Sequence, residues 1–546
     1  MLEAFAKKCL ARPGVVLFII LTFAAVLRLF QLGAEPFGLD EAFTHKFSEY
    51  PWSSFRQEVA ETDVHPPLYY GIVKVFRGLF MTDGESVLRI PSVLLSLATI
   101  PVLFGLAINL FDGRAGKIAG LFAALLFAVS ANQISVAQIA RPYALMVFAM
   151  SLSAYGGTCF LRHQSRFAAP FNQLSRDPEI IKACLITIAG FSALAWSHNV
   201  GLIYAATTGA TLAALLVLQD RTNYASMIVF VICGIISLII WSPNVGALMS
   251  QTSNVADNYW IPDLTLKSLI EKNFLAFGVT NFTPFPNKVA MILSLPIIAF
   301  SMSGLLRLWR AQRRWQFFFF VLTIAAPMIL FIAVSEAIRP IFLLRILHPM
   351  FVIWVLLVAF GAYSIFADWR RLVGAATVVL LFGTSSINYF LMDNRSEPWD
   401  DLVSVISARS GNGAIVYTVP NSSALPLEFY IDKLGANVRA HPIPEAFPAI
   451  DQTYTYPTGV PGVPGINAEM IENAMMHPRE ISGLDRWIIL RGYHIYDQDN
   501  AVRSTLGENF CYERYDTGIN YIVVLKLIPL EGKPHETCQS FTEKGF

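Results

Sequence analysis

The residues best suited to chemistry lie in the first polar stretch of the chain. Asp40 and Glu41 are adjacent in FGLDEAFTH, and Asp63, His65 and Tyr69 follow in TDVHPPLYYGIVKVF. A carboxylate can accept the proton of an attacking hydroxyl group. The structural alternative for Asp40 and Glu41 is a solvated helix cap, because acidic residues favour helix N-termini. Because Asp63 and His65 lie in the same loop, a site shared by these residues is favoured instead.

A second set of polar residues interrupts or borders apolar segments. It comprises Arg89, Gln133, Gln138, Arg141, Tyr143, His198, Asn199, Glu336, Arg339, Arg345 and His348. A single arginine at a membrane edge is more often an anchor whose stem lies along apolar surface than a ligand. Arg345 differs, because it lies within the apolar run IFLLRILHPMF, where a cation needs an anionic partner from protein or lipid.

Carboxylates and arginines gathered at one membrane face suit the transfer of a sugar from a polyprenyl phosphate. Arginines can hold the phosphate and stabilise the charge that grows as the glycosidic bond breaks. A carboxylate can take the proton from the acceptor hydroxyl. Phosphate leaves readily, so the reaction needs no strong general acid. These residue types therefore predict lipid-linked sugar transfer as a hypothesis.

The composition is that of a membrane protein. Of 546 residues, 55% are hydrophobic and 14% charged, whereas soluble proteins carry about 25% charged residues. The formal net charge of +1 argues against a nucleic-acid partner held by a broad basic face. The six cysteines form no CxxC pair, and no metal-binding motif is visible.

Apolar blocks of a length that crosses the bilayer predict about eleven transmembrane helices. We place them near 14–30, 86–110, 117–131, 141–161, 182–197, 200–218, 225–243, 287–306, 317–334, 346–366 and 372–391. The Pro66-Pro67 pair interrupts any helix in the first loop. The segment after this pair is amphipathic, which predicts that it lies in the membrane interface rather than spanning it.

Lysine and arginine are concentrated in alternate connections. The cationic connections contain Lys7, Lys8, Arg12, Arg114, Lys117, Arg162, Arg166, Arg176, Lys182, Arg221, Arg307, Arg310, Arg313, Arg314, Arg370 and Arg371. The positive-inside rule therefore predicts a cytoplasmic N-terminus. With eleven spans, the C-terminal tail lies on the opposite, extracytoplasmic side.

We divide the chain into a membrane domain, 1–391, and an extracytoplasmic α/β domain, 392–546. The membrane domain has two long extracytoplasmic loops, at about 31–85 and about 244–286. In the tail, GAIVYTV, RWIILRGY and INYIVVLKL read as strands, WDDLVSVISARS as a helix and YPTGVPGVPG as a loop. If the tail is extracytoplasmic, a disulfide between Cys511 and Cys538 is one of two open outcomes, free thiols being the other.

At these motifs the sequence resembles the GT-C superfamily of membrane glycosyltransferases. It is most similar to family 39, which includes protein O-mannosyltransferases and lipid A aminoarabinose transferases, and to the bacterial galacturonosyltransferase-like group. The matching pieces are GLDEAFT, DVHPPLYY, SVLRIPSVL, AQIARPYAL and LLRILHP, in the family's order over roughly 14–391. The resemblance implies a polyprenyl-phosphate sugar donor, inversion at the anomeric carbon, and the plasma membrane of a bacterium.

The resemblance also implies roles for individual residues. Asp40 would be the base, and Glu41 would position acceptor or base. Asp63 and His65, with Tyr69 and His198 beside them, would shape the acceptor side. Arg345 would bind the lipid phosphate, with Arg141 and Arg339 as further contacts. Ile346 departs from the family at the donor phosphate, because an aromatic residue often follows that arginine. Further lumenal motifs of protein O-mannosyltransferases are missing from the sequence, which favours a lipid or glycan acceptor.

Three other classes of protein remain open at this stage. A secondary transporter would carry ionisable residues near the bilayer midplane on broken helices, whereas here they cluster at one face. A metal-dependent enzyme would have ligands such as Asp40, Glu41, Asp63, His45, His65 and His198, but these lack a HExxH-like spacing, so we assign no divalent metal or other cofactor. A polysaccharide-export or assembly factor would leave the ordered loop motifs without a purpose.

Overall fold

The computed structural model divides the chain into two compact units. The residues that it describes are 11–63, 65–168, 171–220, 224–254, 261, 263–278, 282–338, 340–365, 369–392, 397–443, 466–475, 483–492, 497, 500–530 and 538–541. The first unit comprises Met1–Leu32, His65–Leu248 and Ile261–Met392. The second comprises Gly33–Val64, Met249–Trp260 and Asp393–Phe546. Residues 33–64 of the first loop thus form one unit with the tail.

The described elements are mostly helices. In chain order these are α1 (Pro13–Leu29), α2 (Leu39–Glu49), α3 (Phe55–Thr62), α4 (Leu68–Phe80), α5 (Glu85–Leu110), α6 (Gly113–Ala128), α7 (Ala131–Ala137), α8 (Tyr143–Arg162), α9 (Phe171–Leu174), α10 (Pro178–Ser197), α11 (Asn199–Gln219), α12 (Ala225–Trp241), α13 (Val245–Asn254), α14 (Leu266–Phe277), α15 (Asn287–Arg310), α16 (Arg314–Ala337), α17 (His348–Ile365), α18 (Trp369–Leu391), α19 (Trp399–Ala408), α20 (Ala424–Leu434), α21 (Ala468–Met475) and α22 (Ala501–Asn509). The strands are β1 (Ala414–Val419), β2 (Val438–Pro442), β3 (Asp485–Arg491), β4 (Phe510–Tyr515) and β5 (Ile522–Pro529).

Every predicted span coincides with a helix of the first unit. Among the described residues, eight helices are long and apolar enough to cross a bilayer. A ninth candidate is the pair α6 and α7, which is bent by 63° between its two parts. The other two predicted spans fall on shorter apolar helices, Pro13–Leu29 and Ala376–Leu391. The count of eleven crossings therefore stays a prediction, while a multi-pass helical protein is confirmed.

Small residues allow close contact between α8 and α10 in the first unit. A Cβ atom added to Gly156 would lie 2.6 Å from the hydroxyl oxygen of Thr187, and one added to Gly190 would lie 2.6 Å from the backbone nitrogen of Ser153. Membrane helices gain little from apolar burial against each other, so close backbone packing at small residues is a main source of their association. These two glycines therefore fix the spacing of α8 and α10.

A buried arginine stabilises the break between α6 and α7. Arg28 is fully buried at the end of α1, and its guanidinium donates to the carbonyl oxygens of Phe127 at 3.2 Å and Ala128 at 3.1 Å. Its Nε donates to the hydroxyl of Ser96 at 2.8 Å. The last carbonyls of a helix lack partners within that helix and carry partial negative charge. Arg28 supplies both donors and positive charge at the point where α6 ends.

Gln138 secures the short segment between α7 and α8. Its side-chain amide nitrogen donates to the carbonyl oxygens of Arg28 at 3.1 Å and Phe30 at 2.7 Å. Its amide oxygen accepts the hydroxyl of Tyr389, from α18, at 2.9 Å. Both ends of the amide are thus occupied by bonds that join three elements of the fold. These bonds fix the backbone three residues before Arg141.

The second unit contains a five-stranded sheet of order β2-β1-β3-β5-β4. β1 runs parallel to β2 and β3, while β5 is antiparallel to β3 and β4. All six residues of β1 are buried, as is usual for a strand covered on both faces. The three predicted strands correspond to β1, β3 and β5, and the predicted helix to α19. β2 and β4 were not predicted, and YPTGVPGVPG lies outside the described residues.

Cys511, in β4, and Cys538 form a disulfide, with their Cα atoms 5.7 Å apart. Backbone hydrogen bonds next to it join Tyr512 to Gln539 in both directions, at 3.0 and 2.9 Å. The bond closes a chain segment of sequence separation 27. It therefore attaches the C-terminal residues 538–541 to the edge of the sheet.

Candidate active site

The acidic pair begins a helix of the second unit. α2 starts at Leu39 after Gly38, which has no side chain to cap it, and Asp40 and Glu41 lie in the first turn. Their negative charges are favourable there because helix N-termini carry partial positive charge. Glu41 is 3% exposed, whereas Asp40 is half-buried. Of the two carboxylates, Asp40 is therefore the more accessible to a substrate.

Asp63 directly follows α3 in the same unit. Its backbone N–H donates to the carbonyl of Val59 at 3.0 Å and so closes the last turn of that helix. The residue is 7% exposed. A buried carboxylate must be hydrogen-bonded or paired with a charge. The burial of Asp63 therefore fits either a residue of a site or a structural residue.

Five side chains form what we call the basic cluster of the first unit: His65, Arg141, Tyr143, His198 and Arg345. The imidazole of His65 lies edge-on to that of His198, with ring centroids 4.3 Å apart. The Nη2 atom of Arg141 lies 3.5 Å from Nδ1 of His65. His65 and Arg141 are 6% and 4% exposed. Arg141 and His198, which are far apart in sequence, thus both contact the imidazole of His65.

Tyr143 links the two arginine-bearing parts of the basic cluster. Its ring lies 6.1 Å from that of His198, measured between centroids. The guanidinium carbon of Arg345 lies 5.9 Å from the centroid of the same Tyr143 ring. Arg141 has an equivalent aromatic neighbour, because its guanidinium carbon lies 5.9 Å from the ring centroid of Tyr70. Such cation–π contacts hold a guanidinium in place without consuming its N–H donors.

The segment that carries Arg345 is braced from two sides. Arg345 lies in a 3₁₀ turn, Leu344–Leu347, and the carbonyl of Ile346 accepts the hydroxyl of the fully buried Tyr204 at 2.6 Å. Upstream, the Lys272 ammonium donates to the carbonyl of Phe342 at 2.6 Å. Burial lowers the pKa of Lys272. The backbone on both sides of Arg345 is thus fixed by bonds from other helices.

Three further polar residues of the sequence analysis, Tyr69, Arg89 and Arg339, are not members of the basic cluster. Tyr69 is fully buried, and its hydroxyl lies 2.6 Å from that of Ser92. Arg89 donates to the carbonyl of Leu32 at 2.9 Å and so holds the end of the first span. Arg339 lies outside the described residues. Tyr69 therefore binds Ser92 of α5, and Arg89 binds the backbone after α1.

The basic cluster can bind an anion at two guanidinium groups. A planar guanidinium donates two parallel hydrogen bonds to a phosphate and keeps its charge at any working pH. Among the described residues no three His, Cys, Asp or Glu side chains are grouped so as to hold a metal ion. The guanidinium and imidazole groups of the basic cluster are of the types that suit phosphate binding.

The fold, a multi-pass helical unit with an α/β unit, is similar to that of solved membrane glycosyltransferases of the GT-C type. ArnT from Cupriavidus metallidurans in the apo state matches it with a TM-score of 0.58 and 13% identity, over 94% of this chain and 98% of that chain. ArnT bound to undecaprenyl phosphate matches with a TM-score of 0.51 and 13% identity, over 93% and 97%. The archaeal oligosaccharyltransferase AglB from Archaeoglobus fulgidus, in complex with an inhibitory peptide and a dolichol-phosphate, matches with a TM-score of 0.50 and 10% identity, over 96% and 75%.

The sequence itself gives a second, independent match. Residues 64–169 fit the family model described as dolichyl-phosphate-mannose-protein mannosyltransferase. A search of curated protein sequences gives no match. The matched segment contains His65, Tyr69 and Arg141 of the predicted site. Asp40, Glu41 and Arg345 lie outside it.

These findings confirm the predicted fold class and the resemblance to GT-C glycosyltransferases of the family 39 type. The solved structures establish the fold, and the family model supports the prediction that the chain is a glycosyltransferase. The roles of individual side chains and the identities of donor and acceptor stay predictions.

Sequence reasoning missed several residues that hold the site together. Tyr70, Tyr204 and Lys272 each contact the basic cluster or the backbone beside it. Tyr70 lies in the DVHPPLYY motif, and this position is the one feature of the sequence that could have indicated its place near the site. Tyr204 and Lys272 are single polar residues in apolar or amphipathic helices, and nothing in their spacing connects them with Arg345.

Proposed function

We propose that this protein transfers a sugar from a polyprenyl-phosphate donor to a lipid or glycan acceptor, with inversion at the anomeric carbon. The observation that carries the proposal is the basic cluster, in which two guanidinium groups and two imidazoles converge in the first unit of a GT-C fold. Relatives of the same fold bind undecaprenyl phosphate or a dolichol-phosphate, which supports a donor of this class.

Arg345 and Arg141 would bind the donor phosphate. When the bond between the anomeric carbon and the phosphate oxygen breaks, the phosphate diester becomes a monoester and gains one negative charge. Guanidinium groups already in place stabilise that growing charge without reorganising. His65 would orient Arg141, and His198 would orient His65. Arg339 stays a candidate for a further phosphate contact on sequence alone.

Asp40 would be the general base. As the acceptor oxygen attacks the anomeric carbon from the face opposite the phosphate, its proton passes to the Asp40 carboxylate. Attack from that side inverts the configuration. Glu41, mostly buried one residue further on, would position Asp40 or the acceptor, and Asp63 and Tyr69 would shape the acceptor side.

The reaction would take place at the extracytoplasmic face of a bacterial plasma membrane. The lysine and arginine distribution supports a cytoplasmic N-terminus. The disulfide between Cys511 and Cys538 supports an oxidising compartment for the tail, because disulfides persist outside the reducing cytoplasm. An acceptor at that face would be a lipid or glycan of the cell envelope.

The test is transfer of radiolabel from a panel of polyprenyl-phosphate sugars by the purified protein. Wild type should move label to an added lipid or glycan acceptor or to water. Asp40→Asn should be inactive while inserting normally, because it removes the base with little change of shape. Asp401→Asn, at an exposed carboxylate, is the matched control and should keep full activity. Turnover by Asp40→Asn would remove Asp40 from the mechanism, and inactivity of wild type with every donor would overturn the proposal.

A further inference from the structure

The backbone immediately before Asp40 is bound to the tail at two points. The N–H of Phe37 donates to the hydroxyl of Tyr430, in α20, at 2.7 Å. The N–H of Leu39 donates to the Glu397 carboxylate at 3.3 Å. The first N–H groups of a helix have no partner within it, and Gly38 offers no side chain to cap α2. Glu397 therefore takes the place of the missing cap, from a distant part of the chain.

Glu397 is surrounded by hydrogen-bond donors. One carboxylate oxygen accepts the Leu39 N–H and the indole Nε1–H of Trp399 at 2.9 Å. The other accepts Nε and Nη2 of Arg491, each at 2.7 Å. Arg491 ends β3. The Glu397 side chain is 7% exposed, so the carboxylate is held at fixed geometry between the sheet and the start of α2.

Tyr521 lies beside this group. Partial burial, together with the negative charge of Glu397, raises the pKa of Tyr521 to about 12. The guanidinium carbon of Arg491 lies 5.6 Å from the centroid of the Tyr521 ring. The hydroxyl therefore keeps its proton at neutral pH, so it adds no second negative charge beside Glu397.

We propose that Glu397 is a positioning residue for the reaction, which fixes the start of α2 and thereby the direction of the Asp40 carboxylate. Arg491 holds Glu397 in turn, so the sheet of the tail determines where the base points. The inference rests on the proposed function, in which Asp40 accepts the proton. A general base must be held close to its productive geometry to be effective. The tail would therefore contribute to the reaction by orienting Asp40.

Replacement by glutamine tests the carboxylate. All groups around Glu397 are donors, so in Glu397→Gln the amide NH₂ must face a donor on one side. Either the bond to Leu39 or the pair with Arg491 is then lost. We expect kcat to fall about 10- to 100-fold, the cost of a base misplaced by about 1 Å, with the donor KM unchanged. Arg491→Leu should do the same, and Asp401→Asn should match wild type. A raised donor KM with normal kcat in Glu397→Gln would overturn the proposal.

Leu39→Pro removes the N–H that Glu397 binds and leaves the helix intact. Leu39 is the first helical residue, where proline is well tolerated, and Gly38 is extended, with ψ of 167°, as a residue before proline prefers. Leu39→Pro should lower kcat like Glu397→Gln. In the double variant, Glu397→Gln should cause no further loss, because Glu397 acts on Asp40 only through its bond to the N–H of Leu39, which proline has already removed. Losses that multiply would show that Glu397 acts elsewhere and would overturn the proposal.

Hydrogen exchange separates this inference from the proposed function. If Glu397 holds the start of α2, peptides covering 37–45 should exchange faster in Glu397→Gln than in wild type, while peptides from β1 stay protected. This readout does not depend on turnover. Unchanged exchange at 37–45 would overturn the positioning role even if sugar transfer is observed. Faster exchange in a protein that transfers no sugar would support the hold on α2 and overturn only the proposed reaction.

Discussion

The imidazole of His198 stands edge-on to that of His65, with ring planes at 88° and centroids 4.3 Å apart. The other edge of the His198 ring has a structural task, because Nδ1 accepts the N–H of Val200 at 3.1 Å and caps α11. That bond assigns the ring hydrogen of neutral His198 to Nε2. One residue thus begins a transmembrane helix and sets the orientation of an imidazole in the basic cluster.

Two substitutions at His198 separate these tasks. Asparagine caps helices well, whereas alanine at a cap position costs about 1 kcal/mol. We expect His198→Ala to lower the thermal unfolding midpoint in detergent and His198→Asn to preserve it. Both lose the ring that orients His65, so both should lower turnover about 10-fold, as loss of a positioned site contact does. Wild-type turnover by His198→Asn would show that the ring has no part in the site.

Arg345→Ala should chiefly weaken use of the donor. Hydrogen bonds from a charged group contribute about 1.5–3 kcal/mol, which corresponds to a donor KM raised roughly 10- to 100-fold. The donor KM of Arg345→Lys should lie between those of wild type and Arg345→Ala, because an ammonium keeps the charge but loses the paired donors. Arg314→Ala, at an exposed arginine, should behave as wild type. Initial rates over a range of donor concentrations give the answer, and an unchanged donor dependence in Arg345→Ala would exclude the phosphate role.

The sequence predicted the larger elements of the fold because their signals are local. Spans appear as apolar blocks, and β1, β3 and β5 are runs of apolar and β-branched residues that match the buried centre of a sheet. β2 and β4 were missed because VRAHP and FCYERY mix charged with apolar residues. Their strand form comes from pairing with β1 and β5, a tertiary contact that overrides local preference.

The candidate site could be predicted only in part, for a related reason. Residue type and the resemblance to GT-C glycosyltransferases predict roles for Asp40, His65, Arg141 and Arg345, and three of these four lie in the basic cluster. Spacing carries no information on bonds between distant segments, such as that of Leu39 with Glu397, 358 residues later. Spacing also does not distinguish Gln138, whose amide is occupied by structural bonds, from the polar residues of the basic cluster.

Arg28 is expected to be important for folding. Arg28→Ala removes the guanidinium donors from the carbonyls of Ala128 and Phe127, of which Phe127 also accepts the N–H of Ser130 at 3.5 Å. In a region remote from water, an unpaired buried group costs about 1–3 kcal/mol. We expect a lower unfolding midpoint and a lower yield of folded protein on size-exclusion chromatography. Arg12→Ala, at an exposed arginine before α1, is the control. Equal midpoints for Arg28→Ala and wild type would mean that the bend between α6 and α7 does not need the guanidinium.

The disulfide should stabilise the tail without contributing to the chemistry. A cross-link at a sequence separation of 27 removes chain entropy from the unfolded state equivalent to about 3.5 kcal/mol. Cys511→Ser with Cys538→Ser should therefore make the tail more sensitive to limited proteolysis, with cleavage first near residues 538–541, where the bond attaches the chain to β4. Wild type treated with a reducing agent should show the same pattern, whereas Cys184→Ser, at a free cysteine in α10, should not. Glu397 precedes α19 and Arg491 ends β3, so both lie outside this edge strand. We therefore expect kcat per folded molecule to stay at the wild-type value. A parallel loss of kcat would mean that the edge of the sheet, as well as the carboxyl end of β3, holds the start of α2.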